Sequence, residues 1–398
     1  MRNRGQSVKC MVIAAVFGLM PGIASQAAAK PLKVFILAGQ SNMQGHVNVS
    51  TFDSLASDPK TAPILKEMRS ADGTPRVCQK VWISSVGCAG DGWKDVIEQT
   101  GKLTAGFGAS TSEIGPEFTF GIYMEKQINE PILIIKTAWG GRSLMTDFRP
   151  PGAGKRAFND TIVKGWKGMG VDPVKEAARH NSELNSVFYR HMIGHVQKVL
   201  GDIKRVIPEY DLKQGYELAG FVWFQGFNDL VDGWSYPKQN QPGGYDEYSQ
   251  LLAQFIRDVR KDLAAPKMPF VIGVMGIDGM KDVKPSMANF RQAMAAPALL
   301  PEFKGNVVAV QTAPFWDDDL AALQTRAEIK EKLAPEEEKR LKAGVSNGGY
   351  HYLGAAKIMA PIGKAFAEAM ANLLWSSQAV KAASAPAVLN IRILKTRI

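Results

Sequence analysis

The chain has 398 residues, 45% of them hydrophobic and 22% charged, an ordinary globular composition with ample material for a core. Its formal charge is +10, but it has no long Lys/Arg run and no basic stripe interleaved with aromatics, which argues against nucleic acid as a partner. There is no repeat at a fixed period and no Pro/Gly/Ser-rich linker, so one large domain with insertions is expected.

The N-terminus carries Arg2, Arg4 and Lys9 ahead of a short apolar stretch over 11–20, with Ala27-Ala28-Ala29 beyond it. Positive flank, short apolar stretch and small-residue site together read as a signal peptide over 1–29. The stretch is too short to span a bilayer, so no membrane span is expected once the signal is removed. Without 1–29 the chain carries a charge of +7; the domain is expected over 30–375, and 376–398 reads as a loosely ordered tail. A periplasmic or secreted location follows. In that oxidising setting, the two cysteines left after cleavage, Cys78 and Cys88, are expected to bridge.

The first buried strand, Val34-Phe35-Ile36-Leu37, runs into the small-residue corner Gly39-Gln40-Ser41-Asn42-Met43-Gln44-Gly45. A serine where a parallel strand ends lies at the mouth of the crevice in which open α/β sheets bind ligands. Its hydroxyl is offered to substrate there, and its amide N–H can help hold an oxyanion.

Residues 46–75 read as a polar loop with a helical piece over 62–69, 77–86 as a strand or hairpin, 90–93 as a turn and 101–112 as another site loop. Pro116-Glu117 reads as a helix start, with Glu117 as a plain first-turn acid and the helix running to about 127. A second buried strand over 131–136 ends in Trp139-Gly140-Gly141, whose glycines let the backbone approach a ligand. Residues 146–182 look inserted. The helix over 183–200 carries His191 and His195 at i, i+4, but with no intervening Glu and no evident third ligand it reads as non-metallic.

A third strand over 218–224 delivers Gln225-Gly226-Phe227-Asn228-Asp229. Two further strands, over 269–275 and 306–310, lead to Asp317, Asp318 and Asp319. A charged helical region over 320–342, broken near Pro335, precedes Ser346-Asn347-Gly348-Gly349-Tyr350-His351 and the last helix over 355–374. A serine hydroxyl needs a base, and His351 is placed to be one.

These blocks carry a resemblance. Gly39-Gln40-Ser41-Asn42-Met43 resembles the nucleophile block of the SGNH-hydrolase superfamily and is most similar to its sialate O-acetylesterase and carbohydrate acetylesterase branch. The resemblance implies a three-layer, doubly wound, mostly parallel α/β sheet of flavodoxin-like type, which the alternation of strands and helices also favours. It implies Ser41 as nucleophile and His351 as base. The Ser41 and Gly141 amides would hold the oxyanion, with Gly140 the register alternative. Gln225 would be the side-chain donor, with Asn228 as alternative. No cofactor or metal is implied, and the substrate would be an acetylated carbohydrate. The family pattern has Asp three residues before its histidine, where this chain has Gly348. An orienting acid is therefore expected from Asp317, Asp318, Asp319 or Asp229. Without one, a Ser-His dyad or a catalytically impaired carbohydrate-binding protein is the other reading.

Overall fold

A computed structural model describes residues 30–88 and 96–384; the expected signal peptide over 1–29, the 90–93 turn and the end of the tail lie outside the described residues. Seven strands form the central sheet: β1 (Leu32–Gly39), β2 (Val81–Cys88), β3 (Val96–Lys102), β4 (Ile132–Ala138), β5 (Tyr216–Phe224), β6 (Phe270–Val274) and β7 (Val307–Gln311). Their order is β3-β2-β4-β1-β5-β6-β7. Only the β2–β3 pair is antiparallel. β1 and β4 are buried along nearly their whole length, which is why they read as unbroken apolar runs rather than alternating ones.

Side-chain alternation on β5 assigns the two faces of the sheet. Phe221 and Trp223 meet Phe255 of the helix Asp246–Asp262 on one side. Phe224 meets Phe366 of the last helix on the other. The last helix, Ala356–Ser384, packs beside Glu117–Gln127, where Thr119 donates to the Ala360 carbonyl. It continues past 374, where the sequence pattern fades. Helices thus cover both faces, and the chain is a three-layer α/β fold. It winds from β1 toward β4 on one side and toward β5 on the other. The carboxyl end of β1 is therefore the switch point, where a crevice opens between neighbouring strand ends.

Two expectations are corrected here. Cys78 is a free, buried thiol, pushed up to about 12 by burial. It precedes β2, whereas Cys88 ends that strand. Eight extended residues place the two on the order of 20 Å apart, far beyond the roughly 7 Å that a disulfide tolerates between Cα atoms. Glu117 is not a plain first-turn acid: its side chain is fully buried and paired with Lys136.

The inserted region folds as short helices, Asp160–Gly168 and Pro173–Arg179, the first with its cap Asn159 against the 232–236 turn. Buried Arg156 donates to Thr146 and Ser235 and ties the two together. His195 hydrogen-bonds Ser84 at 2.9 Å, whereas His191 lies against Phe188 and Trp139.

Candidate active site

The corner after β1 becomes a one-turn helix, α1 (Ser41–Gln44). Gly39 is required by close approach, since a Cβ there would stand 2.1 Å from the Phe224 carbonyl oxygen. Gly45 ends the turn at φ 96°, in contact with the Gly115 backbone. Ser41 is 7% exposed, and its Oγ makes no hydrogen bond among the described residues. In the first turn of a helix the leading amides have no intrahelical partner, and the Ser41 N–H is one of these.

Below α1 lies a buried ion pair. Lys136, at the end of β4, donates to Glu117 Oε2 at 2.7 Å, to the Gln44 carbonyl at 2.6 Å and to the Phe107 carbonyl at 2.7 Å. All three ammonium donors are used. Glu117 Oε1 accepts the Gly115 N–H at 2.9 Å. Desolvation pulls the Lys136 ammonium below its usual range, against the pull of Glu117. The charged head therefore pins the last residue of the serine helix. The Gln44 side chain reaches sideways, its Oε1 accepting the Gly140 N–H at 3.0 Å. That engages Gly140 and leaves the neighbouring Gly141 amide as the unengaged one, on an exposed turn.

At the end of β5, Gln225 and Asn228 are presented differently. Gln225 is 1% exposed, and its Nε2 faces Asp229 Oδ2 at 2.6 Å, the Arg142 carbonyl at 3.0 Å and Gln40 Oε1 at 3.2 Å. Two amide hydrogens facing three acceptors leave none for a ligand. Gln40 Oε1 also accepts the Gly226 and Asn228 backbone N–H groups, which fixes the orientation of the Gln40 amide. Its Nε2 must then donate to Asn228 Oδ1, at 2.8 Å, so Asn228 Nδ2 is the free donor. Of the two expected side-chain donors, the geometry favours Asn228.

His351 lies on the loop 346–354, where Tyr352, Leu353 and Gly354 have φ of 53°, 62° and 57°. Left-handed conformations at two non-glycine residues are strained and need support. The buried Tyr352 hydroxyl supplies some, accepting the Gly276 N–H at 2.8 Å and bonding Thr312 at 2.7 Å. Two hydrogen bonds tie this loop to the serine corner: Asn42 Nδ2 donates to the Tyr350 carbonyl at 3.2 Å, and the Asn48 N–H to Ser346 Oγ at 3.1 Å. Serine and histidine blocks about 300 residues apart in sequence are thereby brought together.

None of the four expected acids contacts His351. Asp317 caps the helix Asp318–Glu328 and pairs with Lys357 at 2.7 Å. Asp318 pairs with Lys281, and Asp319 faces Arg340. Asp229 is fully buried, accepting from the Leu144 and Met145 amides, Gln225 and Tyr236, and burial raises its carboxyl to about 6. The group at His351 Nδ1 is instead Asn347 Oδ1, at 3.0 Å. An amide oxygen fixes Nδ1 as the protonated nitrogen and leaves Nε2 as the basic one. Burial and the neighbouring His46 pull the His351 imidazole down to about 4. Sequence reading passed over Asn347 because attention fell on the family spacing; a polar residue one turn before the histidine was the available signal. It also gave no role to Lys136, whose charge at the end of an apolar strand was a signal of its own.

Comparisons with known proteins complete the picture. No curated protein matches this chain. A solved Arabidopsis thaliana protein is similar at 17% identity, covering 79% of this chain and 95% of its own, with a TM-score of 0.40. A carbohydrate acetylesterase from Xanthomonas citri is similar at 16% identity over 75% of this chain and 57% of its own, with a TM-score of 0.37. NanS is similar at 14% identity over 73% and 79%, with a TM-score of 0.35. A family model described as carbohydrate esterase, sialic acid-specific acetylesterase matches residues 31–330, a span that includes Ser41 and Asn228 and ends before His351, and the chain belongs to that family.

Proposed function

We propose that the protein is an exported serine esterase that removes O-acetyl groups from carbohydrate through an acetyl-enzyme. The observation that carries this reading is the docking of the loop bearing His351 onto the serine corner at the sheet's switch point, through Asn42–Tyr350 and Asn48–Ser346. Family membership supports the ester chemistry and the carbohydrate class.

In this mechanism Ser41 Oγ attacks the acetyl carbonyl carbon while His351 Nε2 takes the hydroxyl proton. The resulting oxyanion is held by the Ser41 and Gly141 amides and Asn228 Nδ2. As the tetrahedral intermediate collapses, the carbon–oxygen bond to the sugar breaks and His351 returns the proton to the departing sugar oxygen. A water molecule, deprotonated by the same imidazole, then attacks the acetyl carbon; the bond to Ser41 Oγ breaks, His351 returns the proton to Oγ, and acetate leaves. Asn347 holds Nδ1–H throughout.

A second reading, a carbohydrate-binding protein of impaired activity, draws on one observation: a neutral amide stands where a carboxylate would stabilise the imidazolium. Hydrolysis of a chromogenic acetate ester separates the two. Turnover that vanishes with Ser41→Ala is the expected result; no turnover in the purified wild-type protein leaves the binding reading standing.

A further inference from the structure

His46 follows the turn that ends α1. Its ring lies flat on that of His351, with centroids 4.1 Å apart and planes 3° from parallel. Tyr350 meets the His351 ring edgewise at 4.4 Å and 66°. With Nδ1 held by Asn347 at 3.0 Å, three neighbours define the orientation of the imidazole. His46 is itself braced, because Gly45 before it is packed on the Gly115 backbone and the Asn48 N–H is bonded to Ser346 Oγ. Accordingly, we propose that His46 is a positioning residue for the base, its ring face fixing the plane of His351 and supporting the imidazolium that forms during acyl transfer. The inference rests on the esterase reading above.

The physical argument begins from what Asn347 lacks. An amide oxygen selects the tautomer but offers little charge stabilisation when His351 accepts the serine proton. An aromatic face in van der Waals contact attracts a cation through its quadrupole, more strongly where water is excluded. Neutral His46 presents such a face to His351. The stack also resists rotation of the His351 ring about its hydrogen bond to Asn347. Two cations at 4.1 Å repel each other, so the device requires His46 to be neutral when His351 is charged. The groups facing His46 act in opposite directions. Burial lowers its tendency to protonate, Glu113, 4.0 Å from Nδ1, raises it, and Lys136 lowers it, with the net effect downward. On the His351 side, the one charged neighbour of consequence is His46 itself, the remaining contacts being Tyr350 and Asn347.

The test compares His46→Phe, which keeps a flat aromatic face without a titrating group, with His46→Ala and His46→Gln, which remove the face. Each is assayed on a chromogenic acetate ester across pH, beside a melting curve. The ring-face role predicts that His46→Phe stays within about threefold of wild-type kcat while His46→Ala and His46→Gln lose about tenfold, with KM changed less than twofold. In His46→Phe the acid limb of kcat/KM moves up in pH, because the imidazole whose charge at low pH depresses His351 is gone. Equal losses in all three variants, a loss confined to KM, or unchanged kcat in His46→Ala overturns the proposal. His351→Ala is the control for the underlying reading: if it retains wild-type turnover, the assignment of the base has failed rather than the role of His46.

Discussion

Ser41 stands on a helix pinned from beneath by a buried ion pair, whereas His351 rides a loop that passes through three left-handed residues and is held by a neutral amide and stacked rings. On the serine side every polar atom of Lys136 and Glu117 named above has a partner, drawn from the end of α1 and from the loops at Phe107 and Gly115. The histidine side relies on contacts made after the sheet is complete: Tyr352 into Thr312 and Gly276, Asn48 into Ser346, and Asn42 into Tyr350. Ser41 and His351, the proposed nucleophile and base, are thus positioned by separate devices. One is expensive to disturb thermodynamically; the other is tunable at small cost to the fold.

The sharpest test of that separation removes the nucleophile alone. Ser41→Ala should lower acetate-ester turnover by about 10⁴-fold or more and leave the melting temperature nearly unchanged, because the hydroxyl supports no contact in the fold. A large loss of stability would show that the serine is part of the scaffold.

Next in size is the ion pair beneath it. Lys136→Met leaves Glu117 buried and unpaired and should cost about 3–5 kcal/mol of unfolding free energy, measured by denaturant titration. Pairing it with Glu117→Leu should cost less than the sum of the two single changes. Strict additivity would mean that the two charges do not act as a unit.

The oxyanion donors separate by activity and stability. Asn228→Ala should reduce kcat by about 10²–10³-fold with little change in melting. Gln225→Ala should act mainly on stability, since its amide serves Asp229, Arg142 and Gln40. The reverse pattern would restore Gln225 as the donor.

The smallest effect concerns Asn347. His351 acts as a base only when neutral, and burial beside His46 holds it near 4, so kcat/KM should stay level from neutrality to about pH 5 and fall below about 4. Asn347→Asp adds a carboxylate at Nδ1, stabilises the imidazolium and should move that acid limb to higher pH, while raising kcat at neutral pH a few-fold. An unmoved limb would mean that Nδ1 is not held at this position in solution.

The doubly wound fold was legible because β1, β4 and β5 are apolar runs separated by helical periodicity, and a strand buried on both faces leaves that mark in any sequence. Ser41 and His351 stand out as candidates for a related reason: each is embedded in a short local pattern, one at a strand end and the other before the last helix. The supporting residues left no such mark. The orientations of Asn228 and Gln225 depend on how Gln40, from another strand end, distributes its one oxygen and one amide group. The partner of His351 Nδ1 depends on how loop 346–354 turns, and local spacing pointed to Gly348 instead of Asn347.

The cysteine pair gives the same lesson in reverse. Ten positions of separation look close in sequence, but most of the segment between them is a strand, and extension at about 3.3 Å per residue carries the two backbone positions apart. The sequence by itself determined which segments are buried strands and helices and which short blocks stand at their ends, since both follow from local hydrophobic period and glycine placement. Which polar atoms face one another was left to the tertiary structure, because hydrogen bonds such as Asn42–Tyr350, Asn48–Ser346 and Gln40–Asn228 join residues from different strand ends and loops, and their geometry exists only once the sheet has set the distance between those ends.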